Sequence, residues 1–396
     1  MNCRERVLTT LNHDEPDKVP YAEHVIMQPE LAAKMGMSAG GVPLDLGRIT
    51  SFIGNIKGLP KRINKVLPRV LNNPKMIKHI LQAVMKDYFK FYEKLKVDLG
   101  VFPIGPYTYY RYVPPNFVIN SFGNMYELKT LGGVPSVYYH GGYFKNKEDY
   151  FNYPKPSPSE PFGKNIFKLF KKTISDDQIY VIPGVFNGIF DSTWQAFGME
   201  LFSKLLIKDT NFIKRIVRDR EIYYRELAKS VIDEFNSEVF FLGDDLAYNS
   251  GPFISPRYFN TIFLPAYKRI TNTLHKRGVK VIFHTDGDIN PLMEGLADCF
   301  DSIHPFQASA NMDIFQVKKD YGEKICVEGN VPIPMLVHGT QKEIAEYVKR
   351  LLKECAPGGG YMLSSGNSIV PEIPWKNYLT MLSTFWKYRE YPIHIS

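Results

Sequence analysis

Four short apolar runs in this sequence stop in the same manner. Val279 to Phe283 gives way to His284, Asp286 and Asp288 in GVKVIFHTDGD, and Glu238 to Leu242 to Gly243, Asp244 and Asp245. Lys324 to Val327 ends in Glu328, Gly329 and Asn330, and Tyr361 to Leu363 in Ser364, Ser365, Gly366 and Asn367. The 279–283 run, β-branched, bounded by glycine and too short for an isolated helix, reads as a buried strand, and the others follow its grammar. Helix-length periodic segments lie between the runs. Apolar strands with polar tips, alternating with helices, are what a parallel barrel with its site at the strands' C-terminal face requires.

The rest of the chain can be laid out on that plan. Val19 to Ala22, Val97 to Phe102, Tyr180 to Val185 and Asp301 to His304 supply further strands, giving eight in all. The expected fold is therefore α/β, a single (β/α)8 barrel over 1–396 with an N-terminal extension and an inserted β-hairpin. Residues 3 to 12 have the spacing of a short helix, and Asn73 to Lys96 that of a longer one opened by Asn-Pro. Gly36 to Pro68, rich in Gly and Pro, is a candidate lid. In the Tyr-, Pro- and Gly-rich stretch 103–143, NFVINSFGNMYELKT predicts a hairpin turning at Phe-Gly-Asn. Tyr153 to Pro161 reads as an exposed connection inside the domain.

At 396 residues the chain can bury a sizeable core, and 44% hydrophobic with 23% charged residues is ordinary for a globular protein. Cys3, Cys299, Cys326 and Cys355 are scattered, so neither a disulfide framework nor a cysteine-rich zinc site is indicated, and a cytoplasmic setting is the default. The polar N-terminus does not read as a signal peptide, and no apolar segment is long enough to span a membrane. The net charge of +8 suits anionic ligands, but no nucleic-acid motif accompanies it. Its densest cluster, Lys164 to Lys172, reads first as one solvated helix face. The sequence leaves the oligomeric state open between monomer and homodimer.

Alternate side chains of a strand share a face, so His284 and Asp286 point the same way at a strand's end. Metal ligation or general acid/base chemistry is the reading that position favours, against a histidine merely oriented by a carboxylate. Glu328 is the third candidate ligand or base. Asp244 and Asp245 divide between capping the next helix and facing the mouth, where a neighbouring carboxylate would raise a pKa and make a proton donor. Ser365, Asn367, Asn249, Asn187 and His24 are candidate substrate contacts, with Glu23 and Asp191 as weaker versions of the same argument. His304 reads equally as a packed rim residue, and Tyr107, Tyr109, Tyr110 and Tyr112 as an aromatic packing cluster.

From about Gly184 to Pro392, and at the extreme N-terminus, the chain resembles the uroporphyrinogen decarboxylase superfamily. The resemblance is carried by RERVLTTLNHDEPDKVP, LGDDLAYNSGPFISPRYFNTIFLPAYKRI, VKVIFHTDGDI, GNVPIPMLVHGTQKEI and GGGYMLSSGNSIVPEIPWKN, in that order. It implies a (β/α)8 barrel and one of two chemistries. Decarboxylases of the group hold their substrate's carboxylates with an R-x-A-G-R segment after the first strand and carry a G-H-G-I motif after the last. Here the corresponding stretches read YAEHVIMQPELAAKM, without arginine, and GNSI, with Asn367 in place of the histidine. A polycarboxylate tetrapyrrole would lack its charge-assisted partners.

The other branch, methyltransferases that serve corrinoid (cobamide) proteins, binds Zn²⁺ through an H-x-C pair and a later cysteine. His284 and Asp286 stand at the pair, and Asp286 and Asn367 take the places of that branch's two cysteines. The resemblance thus implies methyl transfer between a small substrate and a corrinoid partner protein, with zinc held by His284, Asp286 and Glu328. The alternatives are a cofactor-independent decarboxylase acting on uroporphyrinogen or a smaller acid, and a non-catalytic barrel that binds a tetrapyrrole or a corrinoid protein.

Overall fold

The computed structural model describes residues 1–37, 88–105, 111–113, 115–131, 134–159, 164, 167–168, 171–172 and 174–395. Seven parallel strands form one curled sheet: β1 (Leu99–Pro103), β6 (Tyr180–Val185), β7 (Val239–Gly243), β10 (Lys280–His284), β11 (Ser302–His304), β12 (Cys326–Glu328) and β13 (Tyr361–Met362), neighbours in that order. Between β1 and β6 the chain builds an antiparallel sheet of β2 (Arg111–Val113), β3 (Phe117–Ile119), β4 (Asn124–Leu131) and β5 (Val134–Gly142). A two-stranded ribbon, β8 (Ala247–Tyr248) and β9 (Gly251–Pro252), follows β7.

The first strand of the eight expected from sequence takes the form of single bridges. Tyr21 pairs in parallel with Leu363 beyond β13, and Ala22 with Leu99 at the start of β1. The Ala22 amide donates to the Leu363 carbonyl at 2.9 Å, and the Asp98 amide to the Tyr21 carbonyl at 2.8 Å. One short segment thus binds both edges of the sheet. Its place is fixed by a buried carboxylate: Asp98 accepts from the Tyr21 amide at 2.9 Å, from Arg6 at 2.6 Å and from Arg389 at 3.0 Å.

Alternation along the strands separates two cores. Ala22, Leu99, Val101, Tyr180, Ile182, Val239, Phe241, Ile282, Cys326 and Met362 form a small cluster enclosed by the sheet, with Cys3, Val7 and Leu11 of the first helix (Cys3–Leu11) packed into it. That helix starts where the sequence dictates, because Asn2 and Glu5 make a reciprocal capping box, and its i, i+4 face is apolar. The residues of opposite parity, such as Val181, Phe240, Val281 and Phe283, join the larger core under the outer helices, of which Thr210–Phe235 is the longest described.

The expected hairpin within 103–143 is part of this larger four-stranded sheet. Its β3–β4 turn does fall at Ser121–Gly123: the Asn120 side chain accepts from the Phe122 and Asn124 amides, and Gly123 has φ +88° with the Phe144 ring where a Cβ would sit. The sheet docks on the helix Ile189–Phe197, where Tyr139 donates to the Gln195 carbonyl and meets Trp194 edge-on. The candidate lid at 36–68, except 36–37, lies outside the described residues, as do Tyr107, Tyr109, Tyr110, much of Lys164–Lys172 and the first part of the 73–96 helix.

Breaking a buried ion pair leaves an uncompensated charge and costs about 3–5 kcal/mol. Asp98→Ala, which strands Arg389, leaves Arg6 with the Asp17 carboxylate and frees the Tyr21 amide, is expected to cost that much in urea unfolding. An Asp17→Ala change at the exposed end of the Arg6 contact should cost under about 1 kcal/mol.

Candidate functional site at the C-terminal strand ends

The enclosed face continues two residues past its apolar cluster. Ala22, Ile282, Ser302 and Cys326 face inward, so strand parity turns His24, His284, His304 and Glu328 inward as well. Register puts them at one height: His284 is level with His304, and Ser302 and Ile303 with Cys326 and Val327. Phe241 floors the layer, its ring 4.7 Å from that of His24 and 6.0 Å from that of His284. Four inward polar side chains here lie next to apolar ones, and their contacts decide what they can do.

His284 Nδ1 and His304 Nδ1 are 2.7 Å apart, a hydrogen bond in which one ring donates and the other accepts. On its far side His284 Nε2 lies 3.8 Å from Asp245 Oδ1 and 3.8 Å from Asp286 Oδ1. The Asp286 amide donates to Asp245 Oδ1 at 3.2 Å, and Asn367 Nδ2 donates to Asp286 Oδ2 at 2.7 Å, fixing both carboxylates. Asp286 Oδ1 is buried with no hydrogen-bond partner. Gly287, at φ +88° and against the Ala247 carbonyl where a Cβ would sit, lets the 284–288 loop pass this close, and Gln307 accepts from its amide.

Deeper in, His24 Nε2 and Glu328 Oε1 are 2.5 Å apart, and the His24 ring stands edge-on to His304 at 4.5 Å. The side chains of His24 and Glu328 are 3% and 0% exposed, whereas those of Asp245, Asp286 and His284 are 45%, 28% and 19% exposed. Two donor groups result, an inner one of His24, His304 and Glu328 and an outer one of Asp245, His284 and Asp286, each with its ligand atoms within 4.8 Å of one another. Among the described residues no other such group occurs.

Burial sets the protonation of this region. Burial, reinforced by His24 and His284, pushes His304 well below the ordinary imidazole range, so it stays neutral. Burial raises Asp286, against the pull of His284. Glu23 is pushed up to about 8 by burial, although Ser365 donates to it from both amide and hydroxyl and Tyr21 adds a third bond.

The sequence candidates therefore separate. His284, Asp286 and Asp245 converge. Glu328, expected as a ligand beside them, lies with His24 and His304 instead, because it ends a strand two places away in the sheet. Asp244 turns the other way and caps the helix Ile189–Phe197, accepting from the Phe190 and Asp191 amides at 2.7 Å each and from Tyr267 at 2.5 Å. That geometry fills its carboxylate with structural bonds, and burial lifts it to about 7. Ser365 is occupied with Glu23, and Asn187 joins an amide cluster with Asn124 and Gln195. Asn249 is exposed and accepts from Gln307 at 3.4 Å. His304 is the residue whose part sequence reasoning missed; the Ser302, His304 alternation was the available signal.

An α/β fold with a curled parallel sheet and its polar cluster at the C-terminal strand ends is the arrangement of barrel enzymes. The chain belongs to the uroporphyrinogen decarboxylase (URO-D) family, whose model matches residues 133–388. Uroporphyrinogen decarboxylase of Pseudoalteromonas translucida is 27% identical over 158 residues, 38% of this chain and 44% of that protein. Its counterpart from Chlorobaculum tepidum is 26% identical over 89 residues, 22% of this chain and 24% of that one. The matches thus span less than half the length of these curated relatives. Among solved structures, a methyltransferase from Methanosarcina mazei superposes with a TM-score of 0.67 over 98% of this chain and 99% of its own, at 16% identity, which shows a shared fold. Among the described residues no helix is long and apolar enough to cross a membrane.

Glu23 gives a prediction with a definite sign. Its folded pKa lies above the unfolded one, so the folded state holds the extra proton, and its contribution is whole below 4.5 and lost as pH rises towards about 8. Glu23→Gln, a mimic of the neutral acid, should gain stability relative to the parent across that window, read from urea midpoints at a series of pH values.

Proposed function

We propose that the protein is a cytoplasmic methyltransferase of the uroporphyrinogen decarboxylase superfamily, moving a methyl group between a small substrate and a corrinoid carried by a partner protein. The scaffold is read as a complete (β/α)8 barrel, with Tyr21 and Ala22 as the eighth strand. One observation carries the reading: Asp245, His284 and Asp286 present their donor atoms together at the strand ends, while the stretch YAEHVIMQPELAAKM after the first strand has no arginine to hold a tetrapyrrole's carboxylates.

The donor set suits a divalent ion such as Zn²⁺, which accepts imidazole nitrogen and carboxylate oxygen. Asp286 Oδ1, buried and with no hydrogen-bond partner, is an atom such an ion would satisfy. Asn367 does not fit as a ligand, because its amide nitrogen is spent on Asp286 and its oxygen accepts from the Ser368 amide at 2.7 Å. It is a positioning residue. Methyl transfer breaks the bond from carbon to a heteroatom and leaves the electron pair on the heteroatom, which the site must stabilise. An ion held here would supply Lewis acidity, lowering the pKa of a thiol, hydroxyl or water. Asp245 and Asp286 would hold the histidine and the substrate's reacting end in place, and His304 would orient the His284 ring.

The decarboxylase alternative keeps the same mouth and uses Asp245 or Asp286 to stabilise a cationic intermediate, and the binding-only barrel uses neither. Protein purified without chelator is expected to carry zinc and, given a small methyl donor whose methyl group is bound to a heteroatom, to methylate reduced cobalamin. His284→Ala should lose both, and Asn367→Ala should weaken the metal about 10–100-fold. Metal-free protein that releases CO₂ from a carboxylic acid would replace this reading with the decarboxylase, and metal-free protein that binds porphyrinogen without turnover would replace it with the binding barrel.

A further inference from the structure

Beyond His304 orienting the His284 ring, the inner group has no part in the reaction just proposed, yet it is built as a site. His24, His304 and Glu328 are fully buried, at 4%, 1% and 0% exposure. Each leaves one polar atom unmet: His24 Nδ1, His304 Nε2 and Glu328 Oε2 have no hydrogen-bond partner. Buried polar atoms are nearly always satisfied, so three orphans in one cluster mark a place for something to bind. Two imidazoles and a carboxylate form a donor set found in zinc enzymes and suitable for other borderline divalent ions.

The two groups meet through the His284–His304 bond, and that bond has a consequence for both. A neutral imidazole carries one proton, and only one fits between two Nδ1 atoms 2.7 Å apart. If it belongs to His284, that ring's Nε2 has a free lone pair facing Asp245 and Asp286, while the proton of His304 is forced onto its own Nε2. If it belongs to His304, the lone pairs exchange: His304 Nε2 can ligate inward and His284 Nε2 carries a hydrogen. The rings cannot both offer Nε2 lone pairs while they stay neutral and bonded.

We propose that the mouth contains two alternative divalent-cation sites, an outer one of Asp245, His284 and Asp286 and an inner one of His24, His304 and Glu328, and that the His284–His304 bond, which leaves one Nε2 lone pair free between the two neutral rings, lets only one of them be filled at a time. The outer half of this proposal is shared with the methyl-transfer reading, whereas the inner half and the exclusion are independent of it. An ion in the inner site is shielded from solvent, and presenting the outer set instead moves three protons: the shared one crosses 2.7 Å to His284 Nδ1, His284 Nε2 releases its proton at the mouth, and His304 Nε2 takes one up as the inner ion leaves.

Metal counting separates the outcomes. Chelator-stripped protein is titrated with Zn²⁺, and with Co²⁺ for its ligand-sensitive visible spectrum. Wild type is expected to bind one ion tightly, with any second at least tenfold weaker. Asp245→Asn/Asp286→Asn, at partly exposed positions, and Glu328→Gln, an isosteric change, should each still bind one ion, with different cobalt spectra. The triple variant should bind none. Two equally tight ions in wild type would refute the exclusion. Loss of all binding in the outer variant would show a single outer site, leaving the methyl-transfer reading intact. Loss of all binding in a folded Glu328→Gln with retention in the outer variant would show a single inner site and overturn both. Should Glu328→Gln not fold, the outer variant decides alone, since a retained ion requires the inner site.

Discussion

The strict two-residue alternation of parallel strands, held in common register, is the constraint from which this molecule's chemistry follows. Ile282, Ser302 and Cys326 point into the enclosed space, so the residues two further on must point there too, at the level where the strands stop. Phe241 separates the apolar filling from these polar tips. A one-residue slip in β11 or β12 would turn an imidazole or a carboxylate into the layer beneath the helices, where Ile303 and Val327 now pack.

Register of this quality needs a sheet whose edges are held. The segment 20–22 does this with two bridges, and its energetic anchor is electrostatic: the Asp98 carboxylate gathers Arg6 from the first helix, Arg389 from the C-terminal segment and the Tyr21 amide. At the other end of the same segment, Glu23 fastens to Ser365. Two buried carboxylates, one in a cationic setting and one held by neutral donors, thus clamp either end of the closing piece.

The sequence showed the strands because each is a short apolar run closed by glycine and polar residues, a local signal. It showed His284 and Asp286 together at a strand's end for the same reason, since they follow directly on their strand. It could not show that Glu328 belongs with His24 and His304, because that depends on which strands are neighbours in space. Asp244 and Asp245 are adjacent and chemically identical, and only the position of the helix Ile189–Phe197 assigns one to its cap and the other to the mouth. The hairpin in 103–143 was legible at its turn, where Asn120 and Gly123 leave a local signature, but the sheet runs on through β2 and β5, which pair with β3 and β4 on either side of it.

The first helix carries a further implication. Cys3, Val7 and Leu11 stop the far end of the enclosed space, so it is a cul-de-sac and not a corridor. Whatever reaches the imidazoles must leave by the door it entered. In the methyl-transfer reading, two reactants too bulky to share that doorway would have to visit in turn, with the protein keeping custody of the methyl group between visits; two that fit side by side could hand it over directly. The width of one opening thereby governs the order of events.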